Sequence, residues 1–256
     1  MEPDTQIGGP NGRFPDTRHS AILAFRSSDP SVRGRAYEAV IASYWKPSYK
    51  YIRLRWRQSN EDAKDLTQEF FTRALEKNYL AAYDAEVAAF RTFLRTCLDR
   101  FVANELKSAR RLKRGGEAAL ISLDFQSAER ELELYAAAEH SSMEAFFYKE
   151  WVRAFFQVAI NSLREDLEGR GKKAWFQVFS LYDLRSCEER PAYKEVAAEL
   201  GISVAQVTNY LAAARREFRR ILLARLREIT ASEQEFRNEA HFLFGTSWAD
   251  VNGLAI

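Results

Sequence analysis

Residues 193–220 read YKEVAAELGISVAQVTNYLAAARREFRR, and the fold of this stretch decides how the rest of the chain is read. Tyr193, Val196, Ala197 and Leu200 fall at three- and four-residue steps, the period of one helix face. Gly201 follows; without a Cβ it adopts positive φ at no steric cost and closes a helix in a tight turn. Ser203 opens a second helix, and Gln206 three positions on completes a capping box. Val207, Leu211, Ala214 and Phe218 line one side of that helix and are expected to pack on the first. A short helix, a glycine turn and a longer helix make a helix-turn-helix, whose second helix suits the DNA major groove.

The opposite side of the second helix carries Gln206, Asn209, Ala213, Arg216, Arg219 and Arg220. Small and amide side chains near its start suit base edges, and the arginines that follow suit phosphates. From Val204 to Arg227 there are six arginines against one acid, Glu217, a local charge of +5. The same pattern also fits two core helices with a solvated basic face.

Bulk properties narrow the class. The chain has 256 residues and a hydrophobic content of 46%, enough for one large packed domain or two small ones. Its formal net charge is only +2, so attraction to nucleic acid must come from local patches. Cys97 and Cys187 are far apart and fit neither a disulfide framework nor a CxxC pattern, which points to a reduced cytosolic setting. Met1 is followed by acidic and Gly/Pro-rich residues rather than a basic and then apolar signal, and no apolar run has bilayer length. The expectation is a cytoplasmic protein without membrane insertion.

Along the chain, residues 1–20 form a Gly/Pro-rich leader, and a helix is expected over residues 31–44. Pro47 should kink or end it before residues 48–57 resume. A further helix starts at Ser59-Asn60, with Ala63, Leu66, Phe70 and Ala74 on its buried side. Asp62, Asp65, Glu69 and Glu76 share another side, flanked by Gln68. Such a stripe is self-repelling unless a basic group faces it, so it is either a solvated face or a docking strip for a cationic partner helix. Around residues 78–89 the pattern weakens into a loop expected to expose Tyr79 and Tyr83. Residues 89–112 form an amphipathic helix with Phe90, Phe93, Leu94, Cys97 and Phe101 buried. Arg91, Arg95, Arg100, Lys107, Arg110 and Arg111 project from its other sides, and exposed rings beside cations suit unpaired bases. Residues 117–142 turn acidic and read as an inter-domain connector with room for partial helix. Helices over residues 143–167 and 172–184 supply a platform for the helix-turn-helix. Ser232 and Glu235 offer another capping box before a final helix bearing Phe236, Ala240, Leu243 and Phe244.

Two segments together resemble a bacterial sigma factor of the extracytoplasmic-function class. EDAKDLTQEFFTRAL (residues 61–75) with FRTFLRTCLDRFVANELKSARR (residues 90–111) is similar to sigma region 2, and YKEVAAELGISVAQVTNYLAAARREFRRIL (residues 193–222) is similar to region 4. The flanking FPDTRHSAI and LREITASEQEF look like a subgroup with terminal extensions. The resemblance implies an all-α fold of two helical domains. Residues 1–30 would be an N-terminal extension, 31–116 region 2, 117–142 a linker, 143–229 region 4 and 230–256 a C-terminal extension. It implies a dissociable subunit that directs core RNA polymerase to promoters and helps melt DNA, with no catalytic residue, metal or cofactor of its own. Asp62, Asp65, Gln68, Glu69 and Phe70 match the motif that docks on the clamp of the largest polymerase subunit, which favours docking for the acidic stripe. The implied partners are the beta and beta-prime subunits, promoter DNA and, in some relatives, an anti-sigma factor. Tyr79, Tyr83, Arg91, Arg100, Asn104, Lys107, Arg110 and Arg111 fall where the minus-ten element is opened and read. Gln206, Thr208, Asn209, Tyr210, Ala213, Arg215, Arg216, Arg219 and Arg220 fall where the minus-thirty-five element is read.

The chain also departs from the family. Asp99-Arg100 stands where many relatives carry Arg-Asn, and Ser203 replaces a frequent proline. Thr208 and Tyr210 replace common cations, a change that lowers the salt slope of binding by roughly 1.8 at 0.9 per phosphate contact. Of the rival classes, an enzyme lacks support: His19, His140 and His241 are isolated, and no phosphate-binding glycine loop occurs. A helix-turn-helix regulator that never touches polymerase leaves the acidic strip without a purpose.

Overall fold

The computed structural model describes residues 20–109, 123–135, 142–185 and 190–245, and all the regular structure among them is helical. In chain order the helices are α1 (Ala21–Ala24), α2 (Pro30–Arg55), α3 (Asn60–Lys77), a 3-10 turn (Tyr79–Ala82), α4 (Phe90–Ala109) and α5 (Phe125–Tyr135). They continue as α6 (Met143–Gly169), α7 (Lys173–Asp183), α8 (Tyr193–Leu200), α9 (Val204–Glu228) and α10 (Glu233–Phe244).

The long helix α2 is the axis of the fold. Asp29 caps it by accepting the Ser31 N–H at 2.8 Å, and Pro30 sits in the first turn, where its missing N–H costs nothing. Of the two outcomes expected for Pro47, a kink or an end, the end does not occur: α2 runs from Pro30 to Arg55 with Pro47 inside it. Tyr44 before the proline and Tyr49, Tyr51 and Ile52 after it are all buried. Packing on both sides outweighs the roughly 3 kcal/mol that an interior proline costs a helix.

α2 packs against α1, α3, α5 and, along much of its length, α6. The α2–α6 seam is aromatic, with Trp151 stacked on Tyr44 at 6.0 Å and Phe147 edge-on to Tyr51 at 5.4 Å. α9 in turn packs on α6, α7 and α8. Residues 125–135 of the expected connector are an ordered helix held on α2. Glu129 accepts from Tyr49 at 2.5 Å and pairs with Arg53, while Glu131 pairs with Lys46 at 2.8 Å and Lys50 at 2.6 Å.

Candidate functional site

The helix-turn-helix forms as its residues dictate. Gly201 ends α8 with φ 65°, a left-handed geometry that only glycine adopts freely. Ser203 accepts the Gln206 N–H at 3.2 Å, and the Gln206 side chain accepts the Ser203 N–H at 2.9 Å, the reciprocal capping box. Val207, Leu211 and Ala214 are buried. On the outer side Gln206, Thr208, Asn209 and Arg216 are exposed. Tyr210 is half-buried, its ring 5.9 Å from Trp175 of α7, which carries the Lys172 ammonium 4.0 Å above its own ring.

Ala213 corrects the expected reading face, for it is only 7% exposed. Packing against α6, α7 and α8 together gives α9 a wider buried arc than a wheel based on one partner predicts. Two of the expected phosphate-facing arginines are engaged within the chain. Arg215 donates twice to Asp183, at 2.7 and 2.6 Å, and Arg220 donates to Glu217 at 2.9 Å. Hydrogen bonding to Asp183 holds the Arg215 guanidinium above its ordinary pKa. Arg215 and Arg219 edge a cavity of about 630 Å³ lined by Phe156, Phe179, Phe218 and Leu243.

The acidic strip lies on α3. Ser59 caps the helix by accepting the Asp62 N–H at 3.1 Å, and its hydroxyl donates to the Asp62 carboxylate at 2.7 Å. Asp62, Asp65 and Glu76 are exposed, and Gln68 is half-buried. Glu69 keeps 41% of its side chain accessible while pairing with Arg73, which also binds Glu105 at 2.5 Å. Arg73 relieves the repulsion at the centre of the stripe, and the two aspartates nearest the helix start remain in solvent. Phe70 is fully buried against Phe71, Tyr79 and Phe101, so its ring holds the strip in place and presents no surface of its own.

The expected exposure of Tyr79 and Tyr83 is overturned. Residues 79–82 form a 3-10 turn, not an open loop. The Tyr79 hydroxyl donates to the Phe70 carbonyl at 3.0 Å, and burial pushes its pKa up. Tyr83 is 3% exposed; its hydroxyl donates to Glu235 of α10 at 2.5 Å and lies 2.9 Å from the Ala88 carbonyl. Burial and the neighbouring Glu235 carboxylate both raise its pKa. Arg91 is likewise committed: it pairs with Glu239 and lies over Tyr148 at 4.5 Å. Arg100, Asn104 and Lys107 on α4 are exposed as expected, and Arg110 and Arg111 fall outside the described residues.

Sequence reading missed the carboxylates Glu150, Glu235 and Glu239, each buried and each tied to residues far away in the chain. Only the capping pattern at Ser232 and Glu235 hinted at them, and it is half realised. Ser232 accepts the Glu235 N–H at 3.1 Å, but the Glu235 carboxylate turns to the Ala231 N–H and away to Tyr83. Among the described residues no cluster of three or more His, Cys, Asp and Glu could hold a metal ion. No helix among them is long and apolar enough to cross a membrane.

The family model for Sigma-70 region 2 matches residues 41–112, which spans most of α2, all of α3 and all of α4. The match makes this part of the chain, α3 and α4 with the second half of α2, similar to Sigma-70 region 2. No curated protein and no solved structure matches the chain.

Proposed function

We propose that the chain is a sigma factor of the extracytoplasmic-function class, acting in the cytoplasm on core RNA polymerase. In this reading residues 31–116 and 143–229 act as regions 2 and 4. The observation that carries it is the Sigma-70 region 2 match over residues 41–112, within which α3 keeps Asp62 and Asp65 in solvent.

The acidic face of α3, with Asp62, Asp65, Gln68 and Glu69, docks on a basic helical surface of the largest polymerase subunit. Charge complementarity of this kind sets orientation and speeds encounter more than it adds affinity. The exposed Arg100, Asn104 and Lys107 of α4 follow the backbone of the opened minus-ten strand. The α8–α9 unit reads the minus-thirty-five element, with Gln206, Thr208 and Asn209 toward base edges and Arg216 toward phosphate. Run-off transcription with purified core enzyme on a genomic library tests the proposal. Discrete transcripts that require the chain support it; transcription no different from core enzyme alone contradicts it.

A further inference from the structure

The carboxylates of α10 converge on the first turn of α4. The Phe90 backbone N–H, at the start of α4, donates to Glu235 Oε1 at 3.0 Å, and the Tyr83 hydroxyl donates to the same oxygen at 2.5 Å. The first N–H groups of a helix have no partner within it and carry the positive end of its dipole, so a carboxylate from elsewhere in the chain is a strong cap. One turn further along α10, Glu239 takes Arg91. Phe242, another turn on, closes over Tyr148 at 4.3 Å, and the Arg91 guanidinium lies 5.7 Å from its ring. α10 thus covers Tyr83, Phe90 and Arg91 together.

α10 is held differently toward α9 and toward α4. Its apolar anchors, Phe236 and Ala240, are buried. Arg227 of α9 secures its first turn, with the guanidinium 4.1 Å over Phe236 and an ion pair to Glu233 at 3.0 Å. Toward α4 it offers mainly two carboxylates and a ring that remains 54% exposed. One oxygen of Glu239 is buried with no hydrogen-bond partner among the described residues, so this contact does not recover all of its desolvation cost. The acidic strip of α3 stays exposed while α10 is in place.

We infer that α10 is an autoinhibitory strap: Glu235 and Glu239 hold the start of α4 closed to single-stranded nucleic acid and leave the polymerase-facing strip free. The inference rests on the reading of α4 as a nucleic-acid surface. A chain mostly in the closed form binds a strand through its open minority alone, and apparent affinity falls by that fraction.

The test compares the full chain with Glu235→Gln and with Glu239→Ala. Three readouts are taken: hydrogen exchange at the start of α4, affinity for a short labelled single-stranded oligonucleotide, and co-elution with core polymerase. Both variants are expected to exchange faster at residues 90–93, to bind the oligonucleotide roughly tenfold tighter, and to co-elute with core polymerase as the parent chain does. Faster exchange with unchanged or weaker oligonucleotide binding overturns the strap. Loss of helical circular dichroism in both variants overturns it too, because α10 is then part of the core. Should the parent chain fail to co-elute with core polymerase, the sigma-factor reading falls, and the oligonucleotide comparison still decides the strap.

Discussion

Lys50 of α2 and Glu150 of α6 form an ion pair at 2.5 Å in which each side chain is only 1% exposed. Lys50 also reaches Glu131 of α5 at 2.6 Å, so one buried ammonium joins three helices. A charge so placed is tolerated because its partners satisfy it, and the worth of the pair lies in specifying how α2, α5 and α6 meet.

Lys50→Met therefore strands the Glu150 carboxylate in the core, where Arg153 at 2.7 Å is its remaining ion-pair partner. The expected loss is about 3–5 kcal/mol. Lys50→Met combined with Glu150→Leu should recover most of it, since two apolar groups replace two charges. Urea unfolding of the single and double variants measures both, and a double variant no more stable than the single one contradicts the account.

Glycines separate backbone effects from packing. A Cβ at Gly34 or Gly201 meets nothing within 4 Å, but Gly201 has φ 65° while Gly34 lies inside α2. Gly201→Ala should cost about 1–2 kcal/mol through left-handed backbone strain. Gly34→Ala should gain roughly 0.5–1 kcal/mol by lowering the entropy of the unfolded chain. Equal thermal shifts for the two would refute this assignment.

The docking of α5 carries a pH signature. Hydrogen bonding from Arg53 holds the Glu129 carboxyl below its ordinary value of 4.5. A carboxylate depressed in the folded state adds stability that is full above that ordinary value and disappears as pH falls through the folded one. The protection of α5 amides, taken relative to intrinsic exchange at each pH, should fall on acidification through this window, ahead of the buried stretches of α2. Glu129→Gln should lower that protection at neutral pH and weaken its pH dependence, leaving the part that Glu131 contributes through Lys46 and Lys50. Protection of α5 that does not change with pH would count against the Glu129–Arg53 pair as its anchor.

Local features were legible in the sequence because they depend on neighbours a few residues apart. The Gly201 turn, the Ser203–Gln206 box, the Ser59 cap and the burial of Ala63, Phe70 and Ala74 on α3 follow from periodicity and backbone chemistry. Of the expected α4 stripe, Phe90 and Leu94 are buried, and Phe93, Cys97 and Phe101 are only half-buried. What escaped is non-local. Tyr83 looked like an exposed loop residue because its partner, Glu235, is 152 positions away. Ala213 looked outward because one wheel cannot count how many helices press on α9. That α2 continues past Pro47 was not legible because the packing that sustains it comes from Trp151 and Phe147 on another helix. The exposed aspartates of α3 were read correctly, since a capped helix start with charged side chains on a separate face leaves them nowhere else to go.

Arg216 is exposed on the outer side of α9 and is the clearest single probe of upstream DNA binding. Arg216→Ala should weaken binding to duplex DNA across sequences and lower the salt slope by about 0.9, the release expected for one lost phosphate contact. Affinity measured at several salt concentrations gives the slope; a parallel line would remove Arg216 from the interface.

The central claim is that α3 is the handle by which polymerase holds this chain. Co-elution of the full chain with core RNA polymerase, compared between the parent and Asp62→Arg with Asp65→Arg, tests it most directly. Both positions are exposed, so the fold should survive with unchanged helical circular dichroism. The account predicts that the parent forms a stable complex and the folded double variant none, whereas equal co-elution of the two would contradict it.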